Sequence, residues 1–333
     1  MSRIVQPWPR IAFVMSQFPE MHETFIAREM TQLREKGIQY RIFSLKPCKD
    51  KIIHPESERL LLHTRYENFF FSREIWESAL WFLTHRPWRL ISNPGIAVRW
   101  LWKEPVGLAK TLLVYPKLLA YARQIQGWGA THIHSHWATV PTTCAYMLWR
   151  LTDIPYSFTA HAWDIFLADS MLPEKLRKST GVLTCTSYNK KYLWESYGRE
   201  LVEKVHVCYH GLDTASFDLP RRTSLERPLL FSIGRLVPQK GYMDLLEACS
   251  RLRDRGLDFE CAIVGGGPLK REIEGRIRDL QLQSHVQLLG PTPQAEIKNL
   301  LSRSTVFVLP SVVAPNGDRD GIPNVILEAM AAG

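Results

Sequence analysis

No two cysteines in this 333-residue chain are spaced C-x-x-C; its six, Cys48, Cys144, Cys185, Cys208, Cys249 and Cys261, are scattered. That scatter argues against a disulfide framework or a zinc site and suits a reducing compartment. Long apolar runs are missing as well. No stretch approaches the roughly 18–20 residues of a membrane-spanning helix, and the apolar run in MSRIVQPWPRIAFVMSQFPE is too short for a signal peptide. The chain lacks low-complexity tracts, a repeat of fixed period, zinc-finger spacing, an RNP-like aromatic strand and a basic heptad helix. Nucleic acid is therefore a poor fit as partner. From these absences the expected location is the cytoplasm, at the inner membrane face if the chain touches a membrane at all.

What is present reads as a soluble globular protein, with 45% apolar and 23% charged residues. A net charge of +9 asks for an acidic partner such as a phosphorylated ligand or anionic lipid. Short β-branched runs alternate with helix-length periodic segments. RIAFVM, YRIFSL, HIHSHWA, YSFTAH, GVLTCTS and KVHVCYHG read as strands, as do PLLFSIG, FECAIVGGG, VQLLG and TVFVLPS in a second series. ETFIAREMTQLREKG reads as an amphipathic helix ended by Gly37. Strand–helix alternation with apolar strands predicts parallel sheets covered on both faces. The expectation is α/β: two doubly wound Rossmann-like domains, 1–216 and 229–333, joined by a Pro-, Ser- and charge-rich linker over 217–228, with a cleft between them.

One segment breaks the rhythm. Between Arg73 and Arg123 stand eight Lys/Arg, three Glu and five tryptophans, Trp76, Trp81, Trp88, Trp100 and Trp102. Aromatics interleaved with basic residues on helices suit an anionic membrane surface. Helices that merely cap the first sheet, tryptophans inward and arginines in water, account for the pattern equally well.

Open α/β sheets bind ligands beyond the carboxyl ends of their strands. After PLLFSIG the chain reads RLVPQKG, where Arg235 and Lys240 near a helix start suit a dense anion such as a diphosphate. Gly265, Gly266 and Gly267 after the next strand permit close backbone approach to a ligand or a tight turn. They do not make G-x-G-x-x-G, which leaves an NAD-linked dehydrogenase a remote rival. YSFTAHAWDIF ends a strand with His161, able to donate to a sugar hydroxyl, and Asp164, a neighbouring acid able to orient it. His132, His134 and His136 share one side of a regular strand; packing is favoured over a metal site. In GDRDGIPNVILEAMAAG, Asp320 and Gly321 stand before a helix whose first turn holds Pro323. If the stretch were helical throughout, Asp320 and Glu328 would lie on the order of 12 Å apart. That span suits the two hydroxyl-bearing ends of one extended ligand.

These residues together resemble the retaining family-4 glycosyltransferases of GT-B fold, in the branch that builds exopolysaccharides and colanic acid. FPEMHETFIAREM, IPYSFTAHAWDIF, CYHGLDTASF, FSIGRLVPQKGYMDLLEA, IVGGGP and DGIPNVILEAMAAG follow in that family's order. The resemblance implies that Arg235 and Lys240 bind the donor diphosphate and that Glu328 holds the ribose diol. It places Asp320 and the Gly321–Ile322–Pro323–Asn324 backbone on the transferred sugar, His161 on a sugar hydroxyl, and Glu23 and Thr24 toward the acceptor. It further implies transfer from a UDP- or GDP-linked sugar to a lipid-linked saccharide with retention of configuration, without metal or other cofactor. Asp320 stands where the family usually has Glu. The family continues beyond EAMAAG, so the second domain is expected to be incomplete, and a binding-only relic is the alternative to an active enzyme.

Overall fold

The computed structural model describes residues 8–20, 23–48, 55–68, 72–167, 171–220 and 227–333. They fall into two compact units, Met1–Gly211 and Leu212–Gly333. The division precedes the boundary expected after residue 216: Leu212 packs against the cluster of Phe217, Leu229 and Phe231 in the second unit. Within the expected linker, 221–226 lie outside the described residues.

The first unit is built on seven strands: β1 (Arg10–Gln17), β2 (Gln39–Lys46), β3 (Thr64–Tyr66), β4 (His132–His136), β5 (Tyr156–Ala160), β6 (Gly181–Thr184) and β7 (Val205–Val207). All pair in parallel, in the order β3-β2-β1-β4-β5-β6-β7. Alternation along β1 and β2 sends successive side chains to opposite faces. Phe13, Met15, Tyr40 and Ile42 pack with Ile26 and Met30 of the helix Thr24–Glu35. On the other face Ala12, Val14, Phe43 and Leu45 meet Leu118, Tyr121 and Leu148 of the helices Pro105–Trp128 and Val140–Thr152. Both faces are covered, so β1 and β2 carry apolar side chains on each face, as a parallel sheet requires.

The second unit repeats the plan with β8 (Leu229–Ile233), β9 (Glu260–Val264), β10 (Val286–Gly290) and β11 (Val306–Phe307), again parallel, in the order β10-β9-β8-β11. Cys261 and Ile263 face the helices Tyr242–Asp254 and Lys270–Asp279. Ala262 and Val264 face Ile297 and Leu301 of the helix Gln294–Arg303. In both sheets the strand order reverses once, between β1 and β4 and between β8 and β11, and ligand crevices open beyond the strand ends at such points.

Candidate functional site

At the β8/β11 reversal the loop after β8 meets the loop after β11. The Val312 amide donates to the Gln239 carbonyl at 3.0 Å, and the Gln239 side-chain amide donates to Asp318 Oδ2 at 2.7 Å. Lys240 Nζ lies 2.9 Å from each carboxylate oxygen of Asp320, and the Ser311 hydroxyl donates to Asp320 Oδ2 at 2.6 Å. The pair is largely enclosed, with 13% and 19% side-chain exposure. Arg235 is exposed at the loop's start. Burial raises the Asp318 carboxyl above its ordinary value, while the charges of Arg235 and Lys240 pull it down.

The glycines of this loop act on the protein itself. Gly241 has φ +65°, and a Cβ there would sit 1.9 Å from the Pro310 carbonyl oxygen. A Cβ on Gly265 would sit 1.9 Å from the Gly234 carbonyl oxygen. The Leu236 amide donates to Gly266 O at 2.9 Å, and the Leu269 amide to Leu236 O at 3.1 Å. The close approach made by Gly265, Gly266 and Gly267 is thus to the Arg235 loop, which they hold in place.

The closing segment differs from expectation. Its helix runs Asn324–Ala331 with Pro323 just outside it, extended at φ −62° and ψ 124°. Asp320, Gly321 and Ile322 are not helical. The 12 Å span, which assumed helix throughout, does not apply. Glu328 is buried at 8% exposure on that helix.

In the first unit, histidines collect at the ends of β4, β5 and β7. The rings of His134 and His136 stand 5.3 Å apart, His136 and His161 6.0 Å, and His161 and His210 5.6 Å. Phe25 stacks on His210 at 4.4 Å and Trp137 leans on His161 at 4.3 Å. His132 and His134 share the Ser157 hydroxyl, so the three β4 histidines do face one side. Glu29 lies beside His136, its Oε2 3.8 Å from Nε2.

His161 caps the helix Ala162–Phe166: its ring accepts the Asp164 amide while Asp164 Oδ1 accepts the His161 amide at 2.7 Å. Asp164 Oδ2 accepts the Ala138 amide, and Lys175 Nζ donates to the carbonyls of Ala138 at 2.6 Å and Thr139 at 3.1 Å. Asp164 is 0% exposed. It holds the backbone at His161 and the loop after β4, not the imidazole, and it cannot touch an acceptor. The cap fixes the tautomer: a nitrogen that accepts an amide carries no proton, so neutral His161 is protonated on Nε2. That Nε2 is buried and finds no hydrogen-bond partner among the described residues. His161, Cys185 and His210 offer ligand atoms within 4.8 Å of one another. Metal ligation through Nε2 would require an imidazolate while the other nitrogen accepts the amide, so the chemistry suits a hydrogen-bond donor better than a metal ligand.

Glu23 precedes the helix Thr24–Glu35; the Thr24 side chain lies outside the described residues. Burial, helped by Glu20, pushes the Glu23 carboxyl up to about 8. Burial likewise brings Glu29 to about 7, although 40% of its side chain remains open, and Asp164 to about 7. Burial presses His136 down to about 3 and His134 and His161 well below their ordinary value. These histidines are therefore neutral at pH 7. Their contribution to stability is present above about pH 6.5 and lost as pH falls. The acids have raised folded values, so their contribution is present below about pH 4 and lost as pH rises through about 7 to 8. Urea denaturation of a Glu23→Gln, Glu29→Gln variant should accordingly match the wild type below about pH 4 and exceed it in stability above about pH 8. A variant less stable than the wild type at high pH would contradict the assignment.

Sequence reasoning did not reach Glu29, His210, Asp318, Gln239, Ser311 or Lys175. His210, Gln239, Asp318 and Glu29 stood in view within CYHG, VPQKG, GDRDG and ETFIAREM; for Ser311 and Lys175 no local signal exists.

Two parallel α/β units of this build define the GT-B class of fold. The crystal structure of Anabaena HepE in complex with UDP superposes on it with a TM-score of 0.66, at 14% identity, covering 97% of this chain and 78% of that one. The family model described as Glycosyltransferase Family 4 matches residues 22–216, and Glycosyl transferases group 1 matches residues 218–333. The chain belongs to glycosyltransferase family 4. Among curated proteins it is similar to the amylovoran biosynthesis glycosyltransferase AmsK of Erwinia amylovora, 40% identical over 132 residues, 39% of this chain and 32% of AmsK. It is also similar to the putative colanic acid biosynthesis glycosyltransferase WcaL of Escherichia coli, 37% identical over the same shares of each chain. The chain thus spans about a third of the length of these curated relatives in the stretch it matches.

Proposed function

We propose that this protein transfers a sugar from a UDP- or GDP-linked donor to a lipid-linked saccharide in exopolysaccharide assembly, with retention of configuration and without a metal ion or other cofactor. The observation that carries the reading is the enclosed Lys240–Asp320 pair beside Arg235 at the β8/β11 reversal. A diphosphate brought there meets two cations on a loop braced by glycines, and charge building on a leaving nucleotide is stabilised by groups already in place. Asp320 and the Gly321–Asn324 backbone take the transferred sugar, and the buried Glu328 takes the ribose hydroxyls. The His161 Nε2–H, lacking an acceptor among the described residues, donates to a sugar hydroxyl; Glu23 serves the acceptor side. The names of AmsK and WcaL support the exopolysaccharide assignment, and the UDP complex of HepE supports the donor class. Location at the cytoplasmic face of a membrane follows from a lipid-linked acceptor.

The test is a panel of UDP- and GDP-sugars assayed by calorimetry and by turnover on a lipid-linked acceptor, with and without EDTA, and with the product anomer read by NMR. Failure of every donor to bind ends the reading. Binding without turnover favours the binding-only alternative. An inverted product or EDTA sensitivity removes retention or metal independence separately.

A further inference from the structure

Three helices, Arg73–His85, Pro87–Leu101 and Pro105–Trp128, follow β3 and pack on one another. Each has an inward stripe, with Ile75 and Phe82, Ala97 and Leu101, and Leu118 and Tyr121 buried in the first core. A helix of a soluble domain ordinarily presents polar residues on the opposite side. These do not. Trp76, Leu80 and Leu83, at i, i+4 and i+7, line the outside of the first helix, all more than half exposed. Trp88 and Ile91 do the same on the second, and Val106 with the half-exposed Leu113 lines the outside of the third. Trp102, between the second and third helices, is 64% exposed, against 67% for Trp76 and 76% for Trp88. Isolated surface tryptophans need no explanation; a second apolar stripe on three successive helices does. Trp81 and Trp100, by contrast, pack on the core, as helices that cap the sheet require.

Charge decides what covers this surface. Of the eight basic residues here, Lys117 is buried, Arg86 and Arg89 pair with Asp153, Arg73 with Glu77, and Arg123 lies over Trp81. Arg99, Lys103 and Lys110 are exposed, interleaved with Val98, Trp102 and Val106, and Lys103 Nζ stands 5.2 Å over the Trp102 ring. A two-fold contact with a second copy would set this cationic face against itself. An anionic bilayer offers the opposite charge and an interface in which tryptophan is favoured. No helix among the described residues is long and apolar enough to cross a membrane. We propose that the outward faces of these three helices lie in the headgroup region of an anionic bilayer, with Trp76, Trp88 and Trp102 as anchors and Arg99, Lys103 and Lys110 as electrostatic contacts.

The inference gives a surface to the membrane location read above, yet its test reads adsorption and not turnover, so the two fail separately. The full chain is floated with phosphatidylcholine vesicles, with and without phosphatidylglycerol, at low and high salt. It should adsorb to the anionic vesicles, less so at high salt. Trp88→Ser with Trp102→Ser should lower partitioning about tenfold or more. Arg99→Gln with Lys103→Gln should lower it about twentyfold, near fivefold per cation. Trp194→Ser, at another exposed tryptophan, should leave it unchanged. No adsorption to anionic vesicles, adsorption by both double variants equal to that of the wild type, or lipid-free self-association abolished by the tryptophan variant would each overturn the proposal.

Discussion

Lys240→Ala should weaken binding of a nucleotide-diphosphate sugar by about tenfold to a hundredfold, because a charge-assisted bond to phosphate contributes roughly 1.5–3 kcal/mol. The ammonium is held before any donor arrives: two oxygens of Asp320 fix it at 2.9 Å, and its stem runs past Gly234, where even a Cβ would come within 3.5 Å of it. Little side-chain entropy is then lost on binding, which favours affinity. Removal of Lys240 also leaves an enclosed carboxylate facing a dianion, so repulsion adds to the lost attraction. Asp320→Asn separates the two effects. It frees Lys240 while removing the proposed sugar contact, and should cost less donor affinity than Lys240→Ala. Arg235 is exposed and screened, so Arg235→Ala should cost less still and respond more to salt. Calorimetry with donor and with the bare nucleoside diphosphate measures all three. Wild-type affinity in both cation variants would remove the site.

The largest loss of stability is expected from Asp164→Ala, about 3–5 kcal/mol in urea unfolding. Asp164 is 0% exposed and accepts from the amides of His161 and Ala138, while Lys175 serves the carbonyls of Ala138 and Thr139. Truncation orphans two buried amides and removes one of the two carboxylates, Glu104 and Asp164, whose charges support Lys175, already pressed down to about 8 by burial. The loop they hold carries Trp137, whose φ of 72° is uncommon for so bulky a residue. Asp164→Asn keeps an acceptor but turns an NH2 toward one amide, so about half the loss should return. A change within about 1 kcal/mol in Asp164→Ala would mean the network is not structural.

Arg235, Lys240 and Asp320 could be singled out in advance, since they sit in motifs whose order survives in one dimension. Their mutual pairing was not. Lys240 and Asp320 are 80 residues apart and Gln239 and Asp318 are 79 apart, and only the β8/β11 reversal brings them together. The glycines were legible as backbone permissions but not as to whom the backbone approaches. For Pro323, its missing N–H suited a first helical turn, yet its extended ψ puts it one residue outside. Asp164 was placed beside His161 correctly and given the wrong partner, because an i, i+3 acid serves a cap amide as readily as a ring.

Alternation of apolar strands with periodic helices, and the order of the motifs, determined the α/β build and the family without coordinates: period and spacing are local properties. The tertiary structure alone decided which cation is already held by which carboxylate, which nitrogen of His161 carries the proton, and which tryptophans face outward. Those outcomes depend on distances across sheet reversals and on what covers each face, and neither is written in any window of neighbouring residues.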